Sequence, residues 1–297
     1  MKNVIEISQL EKAYGTFKAV QNVSLSIEEN KIYGLLGRNG AGKTTLMNMI
    51  TAQIFPTSGV LKVYGEDPYE NAKVLNQICF IKEGQKYPDH FRVIDVLEVS
   101  NELFPNWDDA FSRSLIKDFN LPLKRKIKKL SRGMLSTVGI IIGLASRAPL
   151  TIFDEPYLGL DAVARGLFYD RLMEDYAEHP RTIILSTHLI DEVSKLLEHI
   201  LVINDGQLFI DQDADSLRGM AYTVTGNAQK VEAFLAGKET VHREPFGGLL
   251  SATVLQSNNH LERQQAAANG LDVTSVSLQQ LIVHLTTKKS DQKGESV

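Results

Sequence analysis

What this sequence lacks already excludes several classes of protein. Among its 297 residues only Cys79 is a cysteine, so no intramolecular disulfide can form, and the composition suits a reducing compartment. No long hydrophobic run is present: the longest strongly apolar patch, VGIIIGLA at 138–145, falls far short of the roughly 18–20 residues that span a bilayer. The opening MKNVIEISQLEKAYG has no apolar signal-peptide core. The chain is therefore expected not to cross a membrane by itself, although a partner can hold it at one. Positive charge is not in excess either. With 32 Lys and Arg against 36 Asp and Glu, the formal charge is −4, so no nucleic acid is expected as a partner. What remains is ordinary for a globular chain: 43% hydrophobic and 23% charged residues, with length enough for one large domain and a small one.

Short β-like runs open the chain at 4–7, 19–27 and 31–37. In the second, Val23, Leu25 and Ile27 alternate with polar residues, the pattern of a half-buried strand. A Gly-rich turn leads to TTLMNMITA at 44–52, where Leu46, Met49 and Ile50 share one helical face, and VLKVYG at 60–65 reads as a further strand. From about 89 to 147 the pattern is helical, with 93–104 and 108–119 as separate helices, and strands return at 150–153, 182–186 and 199–203. This alternation predicts an α/β domain over 1–215 with a mostly parallel sheet and a helical insertion. A turn at 204–211 leads to a small α+β domain over 216–287, with strands at 221–226 and 249–255 and helices at 228–237 and 277–287. The polar residues 288–297 are expected to be a disordered tail.

The sharpest chemical signal is GRNGAGKTT at 37–45, a full G-x-x-x-x-G-K-[ST] pattern between a strand and a helix. Gly37, Gly40 and Gly42 let backbone N–H groups turn inward around phosphate oxygens; Arg38, Asn39 and Ala41 complete the loop. Lys43 carries the charge that meets the β- and γ-phosphates, the Thr44 hydroxyl suits Mg²⁺, and a helix opening at Lys43–Thr44, with Thr45 next, turns its N-terminal donors to the anion. A glycine-rich structural turn is the plain reading, and the strand-before, helix-after context weighs against it. Further on, APLTIFDEP at 148–156 is a buried-strand pattern ending in two carboxylates. Asp154 suits Mg²⁺, directly or through water, and Glu155 suits orienting or deprotonating an attacking water. His188, in ILSTHLIDE at 184–192, sits at a strand-to-helix junction. Alone it would read as a capping or packing histidine; near a nucleotide it can face the γ-phosphate and the water.

Together these stretches resemble the ATP-binding cassette (ABC) ATPases. GRNGAGKTT looks like their Walker A, LTIFDE their Walker B with its catalytic glutamate, STH the switch histidine, and LGLD at 158–161, ending in Asp161, the D-loop. LSRGM at 130–134 resembles the signature usually written LSGGQ, and KAYG at 12–15 places Tyr14 where the family stacks an aromatic ring on adenine. The resemblance covers roughly 3–215 in the family's order. It implies a P-loop cassette fold: a mixed-sheet core, an antiparallel β subdomain and a helical subdomain. It also implies ATP and Mg²⁺ as cofactors and a head-to-tail dimer, homo- or heteromeric, with a second ABC ATPase. Ser131 and Gly133 then meet the γ-phosphate held by the other cassette. Arg132 and Met134 depart from the signature, and Arg132 is expected to face solvent. The implied partners are transmembrane permease subunits, with the chain peripheral on the cytoplasmic face of the cell membrane. FPNWDDAF at 104–111 and the run into LSRGM, with the appended domain, resemble bacterial cassettes of the YtrB/YhcG-like type that serve ABC-2 exporters.

One departure poses a question. The family's Q-loop glutamine, which meets Mg²⁺ and the water, aligns on ICFIKE at Glu83, with Gln85 two residues on as the rival. A carboxylate there keeps an oxygen ligand, loses the amide donor and adds negative charge beside Asp154 and Glu155. The basic KRKIKK at 124–129 reads as a solvated face, and Trp107 as packing within the helical insertion. A soluble ATPase acting on ribosomes or DNA is disfavoured by the single cassette and the lack of heptads. A regulatory module that binds ATP without turnover is disfavoured by intact Lys43, Asp154, Glu155 and His188, while Glu83 and SRGM leave it open.

Overall fold

The computed structural model describes residues 2–255 and 260–294. The chain divides into two compact units: one runs to His188 and includes Leu196–Asp211, the other comprises Leu189–Lys195 and the chain from Gln212 onward.

In the first unit, β1 (Asn3–Tyr14) and β2 (Phe17–Glu28) form an antiparallel pair. The alternation in β2 buries Val23, Leu25 and Ile27 and leaves Ser24 and Ser26 exposed, as the sequence predicts. β3 (Ile32–Leu36) is buried along its whole length, and α1 (Lys43–Ile50) follows it directly after the glycine-rich loop. β4 (Ser58–Val63) pairs with the other side of β1, closing a three-stranded antiparallel sheet in the order β2-β1-β4. The short α2 (Ala72–Leu75) leads to β5 (Ile78–Ile81). The helical insertion then supplies α3 (Val93–Leu103), α4 (Asp109–Asp118) and α5 (Arg132–Ala145). β6 (Leu150–Asp154), α6 (Ala162–Glu178), β7 (Thr182–Thr187), α7 (Ile190–Val193), β8 (His199–Asn204) and β9 (Gln207–Asp213) complete the alternation.

The larger sheet has six strands in the order β5-β6-β7-β3-β8-β9, and β5 through β8 pair in parallel. Parallel strands buried on both faces need continuous apolar sequence rather than alternation, and β3, β6 and β7 are buried at every position. α5 lies flush on this sheet: a Cβ at Gly143 would meet the Phe153 ring at 2.3 Å, so only glycine permits the approach. In such sheets loops at the carboxyl ends of the strands form the binding crevice. Register places those ends level here, since Leu36 pairs with Thr187 and Asp154 with Ser186.

The second unit continues with α8 (Ala214–Leu217), β10 (Ala221–Asn227), α9 (Ala228–Leu235), β11 (Thr240–Phe246), β12 (Leu249–Leu255), α10 (His260–Ala268), β13 (Asp272–Ser275) and α11 (Leu278–Gly294). Its four strands are all antiparallel, in the order β11-β12-β10-β13, around a core including Tyr222, Val224, Val231, Leu250 and Val254. α7 belongs to this unit. Asp191 accepts from Ser277 Oγ at 3.0 Å and from the Gln279 backbone N–H at 3.1 Å, capping the start of α11.

Two boundaries differ from those expected. The segment just after His188 joins the second unit, because Asp191 satisfies donors at the α11 N-terminus. The polar run after residue 287 carries α11 on to Gly294, since KKSDQK contains no helix breaker; 295–297 lie outside the described residues.

Candidate functional site

The glycine-rich loop leaves β3 and feeds α1. Gly42 has φ +109°, and a Cβ there would stand 2.4 Å from the Ala19 carbonyl oxygen, so this position tolerates only glycine. Arg38, Asn39 and Gly40 are exposed at the loop tip, Ala41 is buried beneath them, and Gly37 and Thr45 are half-buried. Lys43 is buried and donates to the carbonyls of Gly37 at 2.7 Å and Arg38 at 3.3 Å. Burial pulls its ammonium pKa down from the usual lysine value, while the charges of Glu155, Asp154 and Glu83 push it back up.

Across the sheet, Thr44 Oγ1 donates to Asp154 Oδ2 at 2.8 Å. Asp154 is almost fully buried, and burial raises its pKa above the usual carboxylate range, with the Glu155 charge adding to the rise and the Thr44 hydrogen bond and Lys43 opposing it. A hydroxyl and a buried, under-neutralised carboxylate side by side are hard oxygen donors of the kind Mg²⁺ takes, with water and phosphate oxygens completing its shell. The residues present fit that ion.

Glu155 follows at the end of β6 with φ +49°, a left-handed backbone that costs a non-glycine residue about 1 kcal/mol. Its amide donates to Ser186 O at 3.1 Å, which ties the strained residue to β7. Oε2 stands 2.9 Å from His188 Nδ1 and accepts the phenol proton of Tyr157, whereas Oε1 is buried with no hydrogen-bond partner among the described residues. An orphaned buried carboxylate oxygen costs stability, and such groups concentrate where chemistry is done. Sequence reading missed Tyr157 altogether; its one available signal was an aromatic two residues after a catalytic-type glutamate.

Lys43, Thr44, Asp154, Glu155 and His188 are thus gathered at the ends of three neighbouring strands. The other expected residues make contacts of their own. Tyr14 is half-exposed at the end of β1 with the Lys12 ammonium 5.1 Å from its ring centroid. Ser131 caps α5 by accepting from Met134 N at 3.2 Å, and Asp161 caps α6 by accepting from Ala164 N at 2.8 Å. A Cβ at Gly133 would meet the Gly159 carbonyl oxygen at 2.3 Å, so the signature-like turn and the LGLD loop are in backbone contact within one chain.

Arg132 is exposed, and its guanidinium pairs with Glu83 at 3.1 Å. The two departures from the family pattern therefore touch each other. Glu83 and Gln85 both line a groove of ≈ 460 Å³ together with Arg132, Lys128, Glu155 and Pro156. Within KRKIKK only Ile127 is buried and the other five residues are exposed; Trp107 is half-buried.

A family profile described as ABC transporter matches residues 20–158. The chain is 32% identical over 222 residues to "Bacitracin transport ATP-binding protein BcrA" of Bacillus licheniformis, covering 73% of this chain and 72% of that protein. It is 29% identical over 215 residues to "ABC transporter ATP-binding protein YtrB" of Bacillus subtilis, covering 72% and 74%. Among solved structures, "Dimeric Structure of MJ0796, a Bacterial ABC Transporter Cassette" superposes with a TM-score of 0.62 at 21% identity, over 71% of this chain and 98% of that one. At that identity the match speaks for the fold.

Proposed function

The chain belongs to the ABC transporter ATP-binding family, whose members are ATPases coupled to transport, and from that premise we propose that it binds and hydrolyses ATP to drive an exporter. The observation that carries this reading is the convergence of Lys43 and Thr44, just beyond the carboxyl end of β3, with Asp154 and Glu155 at that of β6, across the intervening β7, with Thr44 and Asp154 joined at 2.8 Å. In it the loop 37–42 and the α1 N-terminus hold the β- and γ-phosphates, and Tyr14 offers its half-exposed ring to adenine. Lys43 leaves its own loop carbonyls for the phosphate oxygens. Thr44 and Asp154 would hold Mg²⁺, with Glu83 or Gln85 as a further oxygen donor, and the bound ion would supply neutralising charge to the phosphates. Glu155 takes and orients the water through its free Oε1, and His188 faces the γ-phosphate side.

Family members dimerise and pair with transmembrane permeases. For this chain the proposed pairing is head to tail with a second cassette, homo- or heteromeric, so that exposed Ser131 and the α5 N-terminus close over the other cassette's ATP, with Asp161 at the seam. No described helix is long and apolar enough to cross a membrane, so the membrane-facing half of the machine is assigned to separate permease subunits, with this chain peripheral on the cytoplasmic face. Export is favoured because another relative, 30% identical over 213 residues, is named "Nod factor export ATP-binding protein I".

The test is Glu155→Gln in the purified protein with candidate permease partners. Turnover is expected to fall at least about tenfold while ATP binding and ATP-dependent dimerisation persist. Equal turnover in the two proteins would sink the mechanism. Failure to co-purify with any integral membrane protein would favour an ATPase not coupled to transport.

A further inference from the structure

We propose that Tyr157 is a positioning residue of the hydrolytic centre: its phenol anchors Glu155 through Oε2, keeps Oε1 free for the water, and ties that carboxylate to the backbone of His188. The inference rests on the reading of Glu155 given above and goes beyond it, because Tyr157 touches neither nucleotide nor water in that reading.

The hydrogen-bond accounting around this phenol has one solution. Tyr157 is buried at 2% exposure, and its oxygen lies within reach of Glu155 Oε2, of Thr187 Oγ1 at 2.6 Å, of the His188 backbone nitrogen at 3.2 Å, and at 3.4 Å of His188 Nδ1, whose shorter contact is with Glu155 Oε2. An ionised carboxylate oxygen can only accept and a backbone N–H can only donate. The single phenol proton therefore goes to Glu155, and the two lone pairs of the phenol oxygen take the His188 N–H and the Thr187 hydroxyl. Burial, reinforced by the bond to Glu155, raises the phenol pKa far above its ordinary value, so it remains a donor throughout the working range. His188 Nδ1 reaches the same Oε2 at 2.9 Å, and the two rings are 5.9 Å apart.

A merely packed aromatic would need none of this. Phenylalanine would fill the same space, yet it would strip one of two donors from Oε2 and remove the acceptor of the part-buried His188 N–H. Glu155 sits at the end of β6 in a strained backbone, and its side chain has no other described anchor than Tyr157 and His188. Without the phenol, Oε2 is held by a half-exposed imidazole alone. The carboxylate can then turn, and the oxygen that should receive the water is no longer fixed. Positioning losses of this kind fall on turnover rather than on nucleotide binding.

The experiment uses the full chain with its permease partners. Tyr157→Phe is expected to lower kcat about tenfold to a hundredfold, the worth of a hydrogen bond to a charged group, with KM for ATP and the affinity for a fluorescent ATP analogue unchanged within about twofold. Combined with His188→Ala, the double variant should be less impaired than the product of the single losses, because both changes release the same oxygen. A structural role would lower Tm and let the two losses multiply. Unchanged kcat, or fully multiplicative losses, overturns the proposal. Should Tyr157→Phe not fold, Thr187→Val removes the hydroxyl that donates to the phenol while keeping a β-branched side chain, and should lower kcat in the same sense; a wild-type rate there overturns it as well. Glu155→Gln separates the two readings. Retained turnover in Glu155→Gln sinks the assigned mechanism, whereas its loss alongside a wild-type rate for Tyr157→Phe removes only the role of Tyr157.

Discussion

Replacing Gly133 with alanine sets two physical effects against each other, and the structure decides the sign. Gly133 lies in the first turn of α5, and helix propensity alone favours alanine by up to about 1 kcal/mol. A Cβ at this position, however, would stand 2.3 Å from the Gly159 carbonyl oxygen and 3.2 Å from its carbonyl carbon. Close carbon–oxygen contacts sit near 3.3–3.6 Å, so helix and loop must separate by roughly 1 Å. The loop is poorly placed to yield: Ser136 Oγ donates to Leu158 O at 2.6 Å, and Leu160 N donates to Tyr157 O at 3.0 Å. Overpacking against backbone costs about 1–3 kcal/mol, which exceeds the propensity gain.

The expected net loss is up to about 2 kcal/mol, or up to roughly 8 °C in Tm for a unit of this size. Gly166→Ala is the matched control. It is exposed in α6, and a Cβ there meets nothing within 4 Å, so propensity acts alone and Tm should rise by about 2–4 °C. Scanning calorimetry of the two variants and the parent gives the comparison. Because Gly159 follows Glu155 by four residues, Gly133→Ala should also lower ATPase activity, whereas Gly166→Ala should not. A Gly133→Ala protein melting at or above the parent temperature would refute the steric argument.

Further outcomes follow from other contacts. Asp175→Ala leaves the Arg181 guanidinium, 2.6 Å away and 5% exposed, as an uncompensated buried charge; the expected loss is about 3–5 kcal/mol, read by urea unfolding. The Arg132–Glu83 pair has both side chains at least half-exposed, so after allowing for solvent screening Glu83→Gln should change stability by less than about 1 kcal/mol; its effect should appear instead in the Mg²⁺ dependence and partner stimulation of turnover, and unchanged values there assign the glutamine role to Gln85. Asp154 has its pKa raised chiefly by burial, so the folded chain binds a proton that the unfolded chain releases. The stabilising contribution of that proton is complete below about pH 4 and is lost as pH rises through the folded value. Asp154→Asn should flatten this slope in nucleotide-free unfolding curves and abolish the Mg²⁺-dependent part of the thermal shift by ATP. Cys79 is fully buried, which pushes its thiol up to about 12; native protein should resist alkylation that the urea-unfolded chain undergoes fully.

What could be read from sequence, and what could not, divides by the range of the interaction. The conformation of the glycine-rich loop was legible because its demands are local: glycine at 42 is required by a backbone angle of +109° and by the neighbouring Ala19 carbonyl, and such demands leave a mark at one position. The buried strands β3, β6 and β7 were legible for the same reason, as apolar runs with no alternation. β11 was not, because an edge strand with burial at Val241 alone can carry His242, Arg243, Glu244 and Pro245 without breaking a ladder that has only one neighbour. Nor was the place of Leu189–Lys195, since the cap that Asp191 provides lies some 86 residues away at Ser277. Tyr157 belongs with these. Two residues from Glu155 it reads as a turn aromatic, and only the level pairing of β6 with β7 brings Thr187 and His188 to its hydroxyl. The same holds for Glu83 and Arg132, which look like two separate lapses from a family pattern and are one ion pair, 49 residues apart. Each lapse alone argues for a weakened ATPase. Paired, they form one charged contact on the groove that Glu155 also lines, so Glu83→Gln or Arg132→Gly singly should perturb partner-stimulated turnover more than the two together.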